Sequence, residues 1–163
     1  MVCTVVPVEN KDFPGLYSFM YDTWVATYGD IITLEHIEYL LHQYFDEDQI
    51  AGYVAKGYCY YFIMADECRV GLLVYVDRGE DIFLDKLYVL SAFRKQGLAK
   101  QAVRMVQNLG KDIVLHVNRN YMTAIHDYQS MGFWIEDKVE TVWEKEMVNV
   151  DYAMRYSQMK RTK

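Results

Sequence analysis

Residues 84–100 read Leu84-Asp-Lys-Leu-Tyr-Val-Leu-Ser-Ala-Phe-Arg-Lys-Gln-Gly-Leu-Ala-Lys100. An apolar strand runs through a basic turn holding one glycine and enters a segment with helical spacing. The first backbone amides of a helix have no partner inside it, and the helix dipole adds partial positive charge there. A turn of this build is suited to phosphate. Gly97 and Ala99 keep the backbone approachable, while Arg94, Lys95 and Lys100 add charge that suits a pyrophosphate without selecting a nucleotide. Alone the pattern is weak, because a glycine opening a surface helix with solvated basic residues reads the same way.

Toward the C-terminus, Leu98, Ala102, Met105, Val106 and Leu109 draw one apolar helical stripe that ends at Gly110, a C-terminal cap residue, and 113–117 follows as a short buried strand. Strand, helix and strand in that order imply a right-handed crossover between parallel neighbours. A further helix over 121–131 stops at Gly132, 133–148 and 150–157 read as closing antiparallel strands, and 158–163 reads as a loose tail. Toward the N-terminus, runs at 58–65, 70–76 and 82–90 form a three-strand meander. Before them come a helix over 47–56, a helix through Ile37, Leu40, Leu41 and Tyr44, a helix over 10–28 capped by Asp12 with Pro14 in its first turn, and a first strand at 1–8. The expected fold class is α/β (α+β), a mixed and mostly antiparallel twisted sheet with one parallel pair and helices on both faces, in a single domain spanning 1–163.

At 163 residues the chain is long enough to bury a core without disulfides or a structural metal. The net charge of −6 argues against a general nucleic-acid binder, which relies on clustered Lys and Arg, and leans weakly toward a cationic partner. Cys3, Cys59 and Cys68 are odd in number and widely spaced, so they read as free thiols in a reducing compartment. Apolar runs fall short of a membrane span and the first 15 residues lack the pattern of a leader, so a cytoplasmic protein with no membrane partner is expected. His36, His42 and His126 have no ligand-like partners in sequence, and no metal is expected.

A second motif changes the weight of the first. Residues 115–133 read Leu115-His-Val-Asn-Arg-Asn-Tyr-Met-Thr-Ala-Ile-His-Asp-Tyr-Gln-Ser-Met-Gly-Phe133. With it the chain resembles the GNAT superfamily of acyltransferases. That family carries Arg or Gln, two residues, Gly, one residue, then Gly or Ala, matched by Arg94, Gly97 and Ala99. Its later Ala-Ile-x-x-Tyr-x-x-x-Gly-Phe pattern is matched by Ala124, Ile125, Tyr128, Gly132 and Phe133, in the right order and at a suitable distance. The resemblance covers at least 58–157. Trp24-Val-Ala-Thr-Tyr28, with Phe83-Leu-Asp-Lys-Leu-Tyr-Val89, is similar more narrowly to PaiA-type bacterial members, associated with polyamine acetylation. One departure stands out: where the family often has Asn three residues before the alanine, this chain has Tyr121, with Asn118 and Asn120 nearby as substitutes.

The resemblance implies that the parallel pair is splayed for acetyl-CoA, the co-substrate. It places acetyl-CoA on Leu87, Tyr88 and Val89, on the turn Arg94, Lys95, Gln96, Gly97, Leu98, Ala99 and Lys100, and on Asn118 and Tyr121. The Val89 amide faces the thioester oxygen, and Tyr128 stands beside the leaving sulfur as a proton donor, or else is only core. An alkyl amine of pKa near ~10 arrives charged and must lose a proton before attack. Asp85, on the same strand face as Leu87 by simple alternation, and His116 are the candidate acceptors, with a water chain as a third. Against these stand a satisfied core histidine at 116 and an Asp85 that is solvated or paired to Lys86 or Lys111. The implied reaction is direct acetyl transfer in a ternary complex to a small amine such as a polyamine. A peptide or protein amine, or a non-catalytic acyl-CoA-binding regulator, are the alternatives. A homodimer is compatible with this reading.

Overall fold

The computed structural model describes residues 2–144 and 147–158. Its framework is a seven-stranded sheet in the order β1-β2-β3-β4-β5-β7-β6. The strands are β1 (Cys3–Pro7), β2 (Cys59–Ala65), β3 (Cys68–Asp77), β4 (Asp81–Val89), β5 (Asp112–Asn118), β6 (Trp134–Glu144) and β7 (Met147–Tyr156). All neighbours are antiparallel except β4 and β5. That pair is joined through α4 (Leu98–Gln107), since parallel neighbours need a crossover and a helix supplies it. The meander β2-β3-β4 and the parallel pair agree with the pattern of apolar runs.

Side chains alternate across the sheet and feed two separate cores. On one face, Leu73, Ile82, Leu84, Ile113 and Leu115 pack with Leu98, Ala102, Val103 and Val106 of α4 and Ile125 of α5 (Met122–Ser130). On the other, Phe62, Leu72 and Val74 pack with Leu16, Met20 and Trp24 of α1 (Phe13–Tyr28), Ile37, Leu41 and Phe45 of α2 (Leu34–Phe45), and Ile50 of α3 (Glu47–Ala55). Each fully buried Leu, Ile or Phe contributes roughly 1.5–3 kcal/mol relative to exposure. Burying both sides of β3 makes its run from Val70 to Val76 continuously apolar rather than alternating.

Several local expectations give way to the structure. Residues 10–12 form a separate 3-10 turn, and Asp12 stands at the N-cap of α1 without a side-chain capping bond; its carboxylate accepts from the Glu9 amide and pairs with Arg69. Leu109 belongs to no buried stripe, because α4 ends at Gln107 and leaves it 53% exposed. The last hairpin turns earlier than expected, with β6 ending at Glu144 and β7 starting at Met147. No glycine or proline marks that turn in the sequence. Gln158, expected in the tail, is held by the Asp112 carboxylate and the Gln107 carbonyl. The rest of the expected tail lies outside the described residues.

Candidate active site

The site begins with a break in pairing. β4 and β5 are paired only over Asp81–Leu84 and Asp112–Leu115. Beyond them β4 continues beside β3 to Val89, and β5 continues beside β7 to Asn118. The cause lies in β4: Val74 pairs with Lys86 and Tyr75 with Leu84, so Asp85 has no partner on β3 and forms a bulge. A bulge bends its strand and increases its twist. Gly71 on β3 makes room for the bent segment, since a Cβ there would meet the Tyr88 carbonyl oxygen at 2.3 Å and Val89 Cα at 3.2 Å.

The bulge also resets the alternation. Leu87 and Val89 join the α4-side core, whereas Tyr88 joins the aromatic core and the Lys86 ammonium lies over the Tyr44 ring at 3.9 Å. Asp85 bonds Lys86 at 2.5 Å. Simple alternation, which put Asp85 on the face of Leu87, is therefore corrected: the extra residue places Asp85 with Lys86. The open question of its partner closes as well, because Lys111 is bound to Asp77 instead.

A cavity of about 650 Å³ fills the gap between the splayed strands. Its walls are Leu87, Tyr88 and Val89, the turn residues Arg94, Lys95, Gly97, Leu98, Ala99 and Lys100, and Tyr121, Ala124 and Tyr128 around α5. Gly97 holds the left-handed φ of 77° directly before α4, a conformation that glycine adopts without steric cost. Arg94 is fixed by bonds to the Val89 carbonyl and the Thr27 hydroxyl, which ties the turn to α1. Gln96 is exposed and outside this lining, and Asn118 lines a second cavity instead. Tyr121 stands edge-on to Tyr28, with ring centroids 6.1 Å apart.

The second cavity, about 160 Å³, lies against the other face of the sheet. Phe83, Asp85 and Lys86 of β4, His116 and Asn118 of β5, Thr141 of β6, Asn149 and Asp151 of β7, and Trp24, Tyr28 and Tyr44 of the helices surround it. Register explains the gathering: Asn118 faces Asp151 across β5 and β7, Asn149 faces Thr141 across β7 and β6, and His116 lies two residues before Asn118. Tyr28, Asp85, Tyr88 and His116 border both cavities, which therefore meet at the bulge.

The electrostatics at this junction are uneven. Burial raises the Tyr128 phenol, so it stays protonated at neutral pH and can donate. Its ring packs against Phe133 at 5.5 Å. Burial lowers His116, Arg78 adds to the effect and Asp85 opposes it, so the imidazole is neutral at pH 7 and can accept a proton. Burial pushes Asp151 up to about 6. The phenols of Tyr28 and Tyr88 share a hydrogen bond of 2.6 Å. Among the described residues, no three His, Cys, Asp or Glu side chains are grouped to hold a metal.

Sequence reasoning assigned no site role to Tyr28 or Asp151, and named Lys86 only as one of two alternative partners of Asp85. Lys86 follows Asp85 directly, yet only the bulge shows that both point the same way. Asp151 would have required the β5–β7 register.

A sheet splayed at one parallel pair, with a basic helix start beside the gap, forms a cleft suited to a long, phosphate-bearing ligand. The chain matches the acetyltransferase (GNAT) family over residues 16–133 and belongs to that family. Human N-acetyltransferase 8 is 28% identical over 132 residues, which cover 74% of this chain and 54% of that protein. The chain thus spans about half the length of this curated relative. Among solved structures, PaiA N-acetyltransferase from Thermoplasma acidophilum, in complex with coenzyme A, superposes with a TM-score of 0.77 at 17% identity, covering 96% of this chain and 99% of that one. Naa50 from Arabidopsis thaliana, in complex with the bisubstrate analogue CoA-Ac-MVNAL, gives a TM-score of 0.66 at 16% identity, with 96% and 99% covered. These likenesses are likenesses of fold.

Proposed function

We propose that the chain transfers the acetyl group of acetyl-CoA to the primary amine of a small cationic molecule, by direct attack in a ternary complex. The observation that carries this reading is the meeting of two cavities through the β4 bulge. The larger has the dimensions and basic turn for acetyl-CoA; the smaller is aromatic and acidic and suits an alkyl ammonium. Its small volume favours a small amine, or the end of a polyamine, over a folded protein surface.

In this reading the amine gives its proton to neutral His116, and its lone pair then attacks the thioester carbonyl. The Val89 amide faces the developing oxyanion, the Tyr128 hydroxyl protonates the departing sulfur as the C–S bond breaks, and the nitrogen's remaining excess proton passes to the Tyr128 phenolate as the amide forms. Asp85 is committed to Lys86 and is assigned no proton. Because His116 is lowered, its accepting form persists to more acidic pH than an ordinary histidine's.

The test is release of CoA thiol from acetyl-CoA across diamines, polyamines, monoamines and short peptides, for the wild type and Tyr128→Phe. Turnover with small amines and a loss of kcat of about 10²-fold or more in the variant are expected. Turnover confined to peptides would replace the acceptor class, and acetyl-CoA binding without any turnover would favour a regulatory role.

A further inference from the structure

The smaller cavity holds two aspartates in opposite states. Asp85 is neutralised by Lys86, whose buried ammonium also lies 3.9 Å from the Tyr44 ring centroid, 5.6 Å from that of Tyr53 and 5.8 Å from that of Phe45. The chain's own cation thus occupies one carboxylate and one aromatic wall. The Asp151 carboxylate has neither hydrogen bond nor ion pair with any described residue, and burial alone accounts for its raised value. A carboxylate taken out of water without a partner is costly, and a cation that reaches it recovers that cost.

The groups around Asp151 add to the contrast. Tyr28 comes from α1, Tyr44 from α2, Asp85, Lys86 and Tyr88 from β4, His116 from β5, and Thr141 from β6. The one cation among these described residues is Lys86, which is already bound. Above the sheet, Trp24 Nε1 and Asn149 Oδ1 are buried in the same lining without hydrogen-bond partners. Asp151 and His116 lie on the same sheet face, because Asn118, two residues beyond His116, is directly opposite Asp151.

We propose that Asp151 is the residue that binds the ammonium of the incoming amine and holds it beside His116, while the Lys86–Asp85 pair keeps Asp85 out of that role. The inference rests on the smaller cavity being the amine site, and it names the residue that selects a charged acceptor. One free carboxylate then accepts one ammonium, so the acceptor class is a primary alkyl ammonium, or one end of a longer amine. The ammonium proton passes to His116, leaving the neutral nitrogen to attack and the carboxylate unchanged.

The experiment is calorimetric binding of n-butylammonium, and of neutral n-butanol, to the CoA-loaded protein at pH 7.5. Wild type, Asp151→Asn and Asp151→Glu are compared, with acetyl transfer to n-butylamine measured in parallel. Asp151→Asn is expected to weaken n-butylammonium about tenfold or more and to leave n-butanol and CoA unchanged. Asp151→Glu is expected to recover part of the loss, and in turnover the defect falls on KM more than on kcat. Unchanged ammonium affinity in Asp151→Asn, or no ammonium binding to the wild type, overturns the inference. Asp151-dependent binding without acetyl transfer supports the inference while removing the proposed reaction.

Discussion

The two faces of the sheet are built from different chemistry. The face covered by α4 and α5 is filled with aliphatic side chains such as Leu98, Val103, Val106, Ile113 and Leu115. The face covered by α1, α2 and α3 is aromatic, with Trp24, Phe45, Tyr60 and Phe62 buried. It also holds the buried Lys86, and the unpartnered Trp24 Nε1 and Tyr60 hydroxyl. Buried polar atoms in folded proteins are nearly all satisfied, so these groups set the aromatic face apart from the aliphatic one. On the proposed function the first face meets acetyl-CoA through backbone and a helix start, which tolerate many side chains. The second would recognise the amine through side chains, whose composition is free to change without altering the fold.

The bend at Asp85 opens both faces at once, so closing it is the sharpest way to break the contrast. Gly71→Ala drives a Cβ into the Tyr88 carbonyl. The expected cost is about 1–3 kcal/mol of stability, seen as a lower Tm, together with weaker acetyl-CoA binding measured by calorimetry. A variant that keeps both would show that the bend does not depend on this close approach.

A smaller effect isolates the aromatic face. Asp151 is raised to about 6 in the folded chain, above the ordinary carboxylate value near ~4. The folded state therefore holds that proton more tightly than the unfolded state, and the wild type gains stability as pH falls from above 6 toward 4. Asp151→Asn lacks the charge at every pH. Its Tm is expected to exceed the wild type's by about 2–4 °C at pH 7.5, with the difference gone near pH 4. A Tm lowered at pH 7.5 would mean that Asp151 is paired and not exposed to an unmet cost.

The same asymmetry decides what could be read from the sequence. The phosphate turn, the crossover and the α5 motif each lie in one continuous segment, so Arg94, Gly97 and Ala99 are legible in the turn and Ala124 and Tyr128 through the family motif they resemble, and the structure sets all five around one cavity. The smaller cavity draws on α1, α2, β4, β5, β6 and β7, and no local pattern joins Tyr28 to Asp151. Asp85 shows the limit most plainly. Alternation assigns its face correctly only in a regular strand, and the bulge that moves it is specified by pairing with Val74 and Tyr75 on β3. Leu109 and the β6–β7 turn were misread for a related reason: an apolar residue past a helix end and a turn without Gly or Pro leave no signal in spacing.

On the proposed function the two cavities are one path through the sheet, meeting beside His116 and Tyr28. The most direct test of this claim is the affinity of a bisubstrate analogue in which the CoA sulfur is joined through an acetyl spacer to n-butylamine nitrogen, compared with CoA alone. If the path is continuous, the analogue fills both cavities and binds about 10²-fold or more tightly than CoA, because its second half binds intramolecularly. An affinity no better than that of CoA would contradict the claim and leave the smaller cavity without a place in the reaction.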